Sequence, residues 1–203
     1  AARLLGEQSL ELSRAISDQH TEAFSLWSSG MLIAIQGNNA RGIPILEQSL
    51  ALYRSLGDKF GQATVMAWMS LNNNDLKDSK AHLFESLQLF RELGHLSGIA
   101  ICLSELAHRT IWGGDFSSPI PWLEEARELH RQLGNTLREA DVISYYGLLA
   151  YWQADFKQAR GYYEESEKLY EKVGHLLNVA WSRVNIAYVV LRQGDYQEAK
   201  KMF

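Results

Sequence analysis

Four glycines recur at nearly constant intervals, and this regularity restricts the chain to a repeat architecture. These marker glycines are Gly57, Gly94, Gly134 and Gly174, and each follows an aliphatic residue. The second and third intervals between them have the same length, and the first is three residues shorter. Six residues after each of these marker glycines stands an alanine, and one more alanine continues the series backwards; the series is Ala23, Ala63, Ala100, Ala140 and Ala180. A fixed period of about 40 residues is the signature of one small unit that is stacked several times.

A polar turn divides each repeat into two halves. The turn residues are Asn38, Asp75, Asp115 and Asp155, and each stands at the same distance before the next marker glycine. The distance from a marker glycine to the following turn is three residues shorter after Gly57 than after the next two marker glycines. The second repeat therefore lacks three residues between its glycine and its turn, whereas the other half keeps one length.

Each half of the repeat has the apolar spacing of an amphipathic helix. In the half before Gly57, for example, Leu46, Leu50 and Tyr53 stand four and three residues apart. The marker glycine suits a helix C-terminus, and the Asp or Asn of the turn suits the N-terminus of the next helix. The pattern predicts helices over 2–15, 19–36, 40–55, 59–72, 76–92, 96–112, 117–132, 136–152, 156–172, 176–192 and 196 to the end.

These helices predict an all-α fold, an α-α superhelix of about five antiparallel pairs, because a single pair cannot bury its own apolar face. We expect residues 1–203 to form a single domain. Its parts are a partial repeat 1–17, repeats 18–57, 58–94, 95–134 and 135–174, and a truncated repeat 175–203. We interpret the chain as a fragment of a longer protein; the alternative is a short natural chain whose apolar ends pair with each other.

The residues around the turn resemble the tetratricopeptide repeat. The fourth helix pair has Gly147 within its first helix, Asp155 and Phe156 in the turn, and Ala159 and Tyr163 in its second helix. The longer period departs from the family's usual length of roughly 34 residues. This longer form resembles the repeats of MalT-like and LuxR-type bacterial regulators, of related multidomain ATPases and kinases, of kinesin light chain and of the Leu-Gly-Asn family. The resemblance implies a tetratricopeptide solenoid that serves as a protein-binding scaffold in signalling or transcription regulation.

Composition and charge exclude several classes of function. The chain has 20 basic and 24 acidic residues, a formal net charge of −4, which disfavours nucleic acid as a partner of this region. The single cysteine, Cys102, cannot form an internal disulfide or a thiolate metal cage. No apolar run is long enough to span a membrane, and a lone cysteine without an export signal indicates a cytoplasmic protein.

No set of residues predicts catalysis, a metal site or a cofactor. The six histidines include no pair with the spacing of a helical zinc site and no HExxH motif. We expect His95 and His175, which follow helix ends, to interact favourably with the dipole of the preceding helix. We therefore predict that the chain is not an enzyme.

The resemblance implies that the first helix of each pair lines a concave groove. Projection of the repeat onto these helices gives an apolar and aromatic surface with few charges, which suits a helix or an extended peptide. The expected peptide-binding residues are Phe24, Trp27, Met31, His108, Tyr151, Trp181, Asn185 and Tyr188. Related arrays that bind a C-terminal carboxylate present an asparagine at one position of the first helix, and here only Asn185 matches it. The other repeats have Tyr145, Glu105 and Ser28 at the equivalent position. This mismatch disfavours such a clamp.

Three hypotheses follow for the partner. The first is a non-catalytic module that binds a protein or peptide, with another domain of the same chain as one version. The second is a sensor whose groove closes around a small apolar effector. The third is a scaffold that associates with itself end to end.

Overall fold

A computed structural model describes the backbone of residues 2–72 and 75–203 and the side chains of residues 8–71 and 75–203. Within these ranges the chain consists of eleven helices and no strands, and each predicted helix lies within two residues of its expected ends. The helices are α1 Ala2–Ala15, α2 Gln19–Ile35, α3 Asn39–Ser55, α4 Lys59–Asn72, α5 Leu76–Glu92, α6 Leu96–Trp112, α7 Pro119–Gln132, α8 Thr136–Trp152, α9 Phe156–Lys172, α10 Leu176–Arg192 and α11 Tyr196–Met202.

The chain divides into two compact units, and the division lies within α6, between Cys102 and Leu103. In the first unit α1 packs on α2, α2 on α3, α3 on α4 and α4 on α5. In the second unit α7 packs on α8, α8 on α9, α9 on α10 and α10 on α11. Each of these helices therefore contacts its neighbours in sequence, as a stack of helix pairs requires.

The four marker glycines share one backbone conformation, with φ between 64° and 71°. Gly57 has a φ of 68°, a left-handed conformation that costs glycine little, and it follows the last residues of α3. The amide of Asp58 donates to the carbonyl of Tyr53 at 3.0 Å, so that the last carbonyls of the helix are paired. The carboxylate of Asp155 accepts from the amide of Gln158 at 3.0 Å and begins α9 in the expected way.

Two of the histidines that follow a helix end also contact the helix after them. The Nδ1 atom of His95 accepts from the amide of Gly98 at 3.1 Å, and that of His175 accepts from the amide of Asn178 at 3.4 Å. Both residues thus cap the helix that follows them.

Four of the five alanines in the series are buried where helices pack, and the fifth, Ala180, is exposed. Ala23 and Ala63 have no exposed surface, and a buried serine of the paired second helix reaches the carbonyl of each. Ser49 donates to the carbonyl of Ala23 at 2.7 Å, and Ser86 donates to that of Ala63 at 2.7 Å. A small residue at this position lets the two helices approach closely enough for the buried hydroxyl to be satisfied.

The backbones of α2 and α3 approach each other closely in the first unit. A Cβ atom built on Gly42 would lie 2.8 Å from the carbonyl oxygen of Gly30 and 3.0 Å from the amide nitrogen of Ala34. Both of those atoms belong to the backbone, which cannot rotate away as a side chain can. The absence of a side chain at Gly42 therefore sets the distance between these two helices.

Candidate functional site: the first-helix face of the second unit

A pocket of about 190 Å³ opens between α8 and α10 in the second unit. It differs from the expected apolar groove because most of the side chains around it carry a polar group. The α8–α10 pocket is lined by Asp141, Ser144, Tyr145, Tyr170, Asn178, Trp181, Ser182 and Asn185. Such a mixture of one exposed indole with several hydrogen-bonding groups is typical of a binding site rather than of a core.

The carboxylate of Asp141 is held in this pocket by three hydrogen bonds. Its carboxylate accepts from the hydroxyl of Tyr170 at 2.7 Å, from the side-chain amide of Asn178 at 3.3 Å and from Nη1 of Arg138 at 3.1 Å. Burial and the neighbouring Asp141 carboxylate raise the pKa of Tyr170, so this phenol stays protonated and donates. Asp141 is therefore held in place and its charge is balanced by Arg138.

Three other groups around the pocket are free to bind a ligand. Ser144, Tyr145 and Asn185 make no hydrogen bond to any described residue, although all three are half-buried. Burial, followed by the carboxylates of Glu105 and Asp141, raises the pKa of Tyr145 well above its ordinary value. Its hydroxyl therefore keeps its proton at neutral pH and can donate or accept.

Glu105 adds a carboxyl group on α6. The side chain is half-buried and forms no hydrogen bond or ion pair with the residues that the structure describes. Burial raises the pKa of Glu105, Arg109 and Arg138 oppose this shift, and Asp141 adds to it. The charges of Arg138 and Asp141 on α8 therefore affect the pKa of this carboxyl group, yet it forms no ion pair with a described residue.

Aromatic rings continue the site along α6 and α8. His108 stacks on Tyr145 with ring centroids 4.5 Å apart, and its Nε2 accepts from the indole of Trp112 at 2.9 Å. The ring centroids of Trp112 and Trp152 are 6.2 Å apart, and those of Trp152 and Tyr151 are 5.7 Å apart. We call these five residues, from His108 to Trp152, the aromatic ridge.

Burial, with a smaller effect of Arg109, lowers the pKa of His108 to about 4. The ring is therefore neutral at pH 7, which is the state that lets Nε2 accept from Trp112. The indoles of Trp112 and Trp152 are 57% and 46% exposed. Two large apolar surfaces thus face solvent at the end of the ridge, where a partner could cover them.

The predicted binding residues of the second unit have distinct positions. Trp181 and Asn185 line the α8–α10 pocket, and His108 and Tyr151 belong to the aromatic ridge. Tyr188 is exposed and contacts the ring of Phe203 with centroids 5.2 Å apart. The sequence interpretation missed Trp112 and Trp152, although both occupy the same position in consecutive repeats and that coincidence was a signal.

The predicted binding residues of the first unit are less uniform. Phe24 is 55% exposed and its ring lies 5.4 Å from that of Trp27. Trp27 packs against the core, and its buried indole nitrogen has no hydrogen-bond partner in the described part of the chain. Met31 is half-buried. Phe24 is therefore the most accessible of the three, whereas Trp27 has a structural role as well.

The first unit also contains a larger pocket, of about 360 Å³, between α1, α2 and α3. Its lining combines five aliphatic side chains with six polar or charged ones; it is lined by Leu10, Arg14, Leu26, Ser29, Leu32, Ile33, Gln36, Asn38, Arg41, Ile45 and Gln48. Arg14 at the rim already pairs with Glu22 at 2.7 Å. A volume of this size lies in the range that small ligands occupy.

Within the described residues, no three His, Cys, Asp or Glu side chains come together in a group that could hold a metal ion. Within the same residues, no helix combines the length and the apolar composition that a bilayer-spanning segment needs.

Comparison with known proteins gives a partial family match and several matches of fold. Residues 138–203 match the family described as tetratricopeptide repeat. No curated protein matches the chain.

Among solved structures, BtubC (BKLC) from P. vanneervenii is similar, with a TM-score of 0.80 and 16% identity over 99% of this chain and 86% of that one. A Rap protein complexed with Competence and Sporulation Factor has a TM-score of 0.79 and 16% identity over 90% of this chain and 52% of that one. A STAND protein with a tetratricopeptide repeat sensor from Pyrococcus horikoshii has a TM-score of 0.77 and 11% identity, covering 95% of this chain and 31% of that one.

At these identities the likeness shows the fold alone, and the chain spans about half of the Rap protein and about a third of the STAND protein. The structures nevertheless agree with the all-α repeat fold over nearly the whole chain. Residues 138–203 therefore match tetratricopeptide repeats, and the chain as a whole has the helix-pair fold of these solved structures, which confirms the expected all-α repeat architecture.

Proposed function

We propose that the second unit binds an extended segment of a protein on the surface formed by the α8–α10 pocket and the aromatic ridge. A tetratricopeptide-like fold suggests a protein-interaction module in general. The observation that carries the more specific proposal is the exposed indole of Trp181 beside three unused hydrogen-bonding groups, those of Ser144, Tyr145 and Asn185. The binding is non-catalytic.

The polar lining favours an extended segment over a helix. An extended main chain has free N–H and C=O groups at every residue, and the side-chain amide of Asn185 can both donate to and accept from it. A helix uses most of these groups internally, so it would leave Ser144, Tyr145 and Asn185 without partners. Trp181 can meanwhile cover an apolar side chain of the same segment, as aromatic anchors do at interfaces.

The comparisons support the class of partner and of parent protein. A Rap protein of similar fold was crystallised in complex with Competence and Sporulation Factor, which supports the binding of a partner by this arrangement of helices. A similar fold also forms the sensor of a signal-transduction ATPase. We therefore propose that the chain serves a signalling or regulatory protein, with the bound segment supplied by another protein or by another domain of the same one.

The test is a binding measurement on Trp181→Ala, with pools of random nine-residue peptides as the probe. Trp181 is 59% exposed, so its loss should leave the melting temperature unchanged. Affinity for the pools should fall about thirtyfold, because a central aromatic anchor contributes ~2 kcal/mol to binding. Fluorescence anisotropy of labelled pools measures this change.

Leu176→Ala is the matched control, since Leu176 also lies on α10, is 78% exposed and does not line the pocket. This variant should bind the pools as the unmodified chain does. Equal losses in both variants, or none in Trp181→Ala, would show that peptides bind elsewhere.

A second candidate function rests on the pocket between α1, α2 and α3. Its five aliphatic side chains and its volume of about 360 Å³ favour a small ligand with an apolar part, as in the sensor hypothesis. A rise in melting temperature on addition of medium-chain fatty acids would support this candidate, because a ligand that binds only the folded chain stabilises it.

A further inference from the structure

Three consecutive first helices carry a polar side chain at the same repeat position. Glu105, Tyr145 and Asn185 each occupy the same place relative to the preceding marker glycine, on α6, α8 and α10. All three are half-buried, and none forms a hydrogen bond or an ion pair with a described residue. Tyr145 and Asn185 belong to the surface on which we place the bound segment, and Glu105 continues the row as its only acidic member.

An unpaired carboxylate in this position destabilises the folded chain. Glu105 has lost part of its hydration, and a charge removed from water costs free energy unless a cation or hydrogen-bond donors replace the water. Neither Arg109 nor Arg138 forms an ion pair or a hydrogen bond with Glu105 in the described residues, and Arg138 holds Asp141 at 3.1 Å instead. Local conflicts of this kind concentrate at functional sites.

We propose that Glu105 binds a basic side chain, arginine or lysine, of the segment that occupies this face. The proposal rests on the function proposed above and specifies its partner. A guanidinium or ammonium group would give the carboxylate the charge-assisted hydrogen bonds that it lacks. The hydroxyl of Tyr145, on the next first helix, offers the same cation a second acceptor.

The surrounding charges are compatible with this assignment. Asp141 is balanced by Arg138, so it does not compete for the incoming cation. His108, which stacks on Tyr145, is neutral at pH 7 and adds no positive charge. The positive charges of Arg109 and Arg138 favour the ionised form of Glu105 by lowering its pKa, against the effect of burial.

The experiment compares two sets of nine-residue peptide pools that differ at one central residue. One set has arginine there and the other has citrulline, which has nearly the same shape without the charge. Three chains are measured: the unmodified chain, Glu105→Gln, and Glu124→Gln. Glu124 is the matched control because it is exposed on α7, outside the proposed face.

We expect the unmodified chain and Glu124→Gln to bind the arginine pools about tenfold more tightly than the citrulline pools. Glu105→Gln should bind both sets equally, with an affinity close to that of the unmodified chain for citrulline. Its melting temperature should not fall, because the substitution removes an unpaired carboxylate.

Two other outcomes would overturn the proposal in distinguishable ways. If the unmodified chain binds both sets equally, or if Glu105→Gln keeps the preference for arginine, Glu105 does not select the partner, although peptide binding stands. If the folded, unmodified chain binds neither set, the proposed function is wrong, and the assignment of Glu105 is wrong with it.

Discussion

Lowering the pH from 7.5 to 5 should lower the free energy of unfolding by about 3 kcal/mol. Burial lowers the pKa of both His108 and His130 to about 4 in the folded chain. The unfolded chain binds these protons near the ordinary value of 6.5, so it gains protons first as the pH falls. Stability is therefore complete above pH 6.5 and is lost progressively down to about pH 4.

Other titrating groups do not reverse this trend. Burial raises the pKa of Glu105, so the folded chain takes up that proton before the unfolded chain, which partly offsets the loss. Hydrogen bonds from Ser118 and Ser117 lower the pKa of Asp115, and this carboxylate matters only at more acidic pH. The two histidines thus dominate the interval between pH 6.5 and 5.

Urea denaturation at pH 7.5, 6.5 and 5 measures the effect. His130 is buried against Ser104, whereas His108 belongs to the aromatic ridge. His108→Gln and His130→Gln should each reduce the dependence on pH by about half, because each removes one of the two protonation sites. Equal stability at pH 7.5 and 5 in the unmodified chain would show that neither histidine is kept neutral by folding.

The substitution Gly42→Ala should lower the free energy of unfolding by about 2 kcal/mol, the typical effect of overpacking a close contact. The added methyl group would meet the carbonyl of Gly30 at 2.8 Å, so α2 and α3 must move apart. Alanine is otherwise the better helix former, which reduces the loss but does not remove it.

Gly161→Ala is the matched control for this substitution. Gly161 lies inside α9, and a Cβ atom there would have nothing within 4 Å. The change should raise the free energy of unfolding by about 1 kcal/mol, because alanine favours the helix without a clash. Thermal and urea unfolding of both variants decide the matter, and a stabilised Gly42→Ala would mean that the two helices are not in backbone contact.

The helices were predictable from the sequence because each end is marked by local chemistry. A left-handed glycine such as Gly57 ends one helix, and an aspartate such as Asp155 begins the next. These signals depend on a few neighbouring residues, so they can be read without knowledge of the packing. The regular period then shows that the same unit returns.

The surface of the first helices was harder to predict because two apolar stripes have nearly the same period. A step of three or of four residues along a helix leads to the same face, because the helix has 3.6 residues per turn. Contacts with neighbouring helices then decide which of the two residues is buried. Ala34 and Ile111 share one repeat position and lie in the core, whereas Trp112 and Trp152, at the next position, face solvent. At this end of α6 and α8 the exposed position is therefore the one that Trp112 and Trp152 occupy.

The state of Glu105 could not be foreseen for a related reason. Its spacing from Arg109 is that of an ion pair along a helix, yet Glu105 forms no ion pair with a residue in the described ranges. Whether a glutamate and an arginine at this spacing form an ion pair depends on the other contacts that the arginine makes. Those contacts are a property of the packed structure. The sequence thus predicts which residues face outward more reliably than it predicts their partners.

The indole N–H signals in an NMR spectrum test the proposed face most directly. The chain has six tryptophans, of which five lie on the first helix of a pair and one, Trp122, lies on a second helix and can serve as the internal control. Trp181 lines the α8–α10 pocket, Trp112 belongs to the aromatic ridge, and Trp122 lies on α7, a second helix. On titration with the tightest-binding arginine peptide, the signals of Trp181 and Trp112 should shift to saturation while that of Trp122 stays in place. A shift of Trp122 without one of Trp181 would contradict the account.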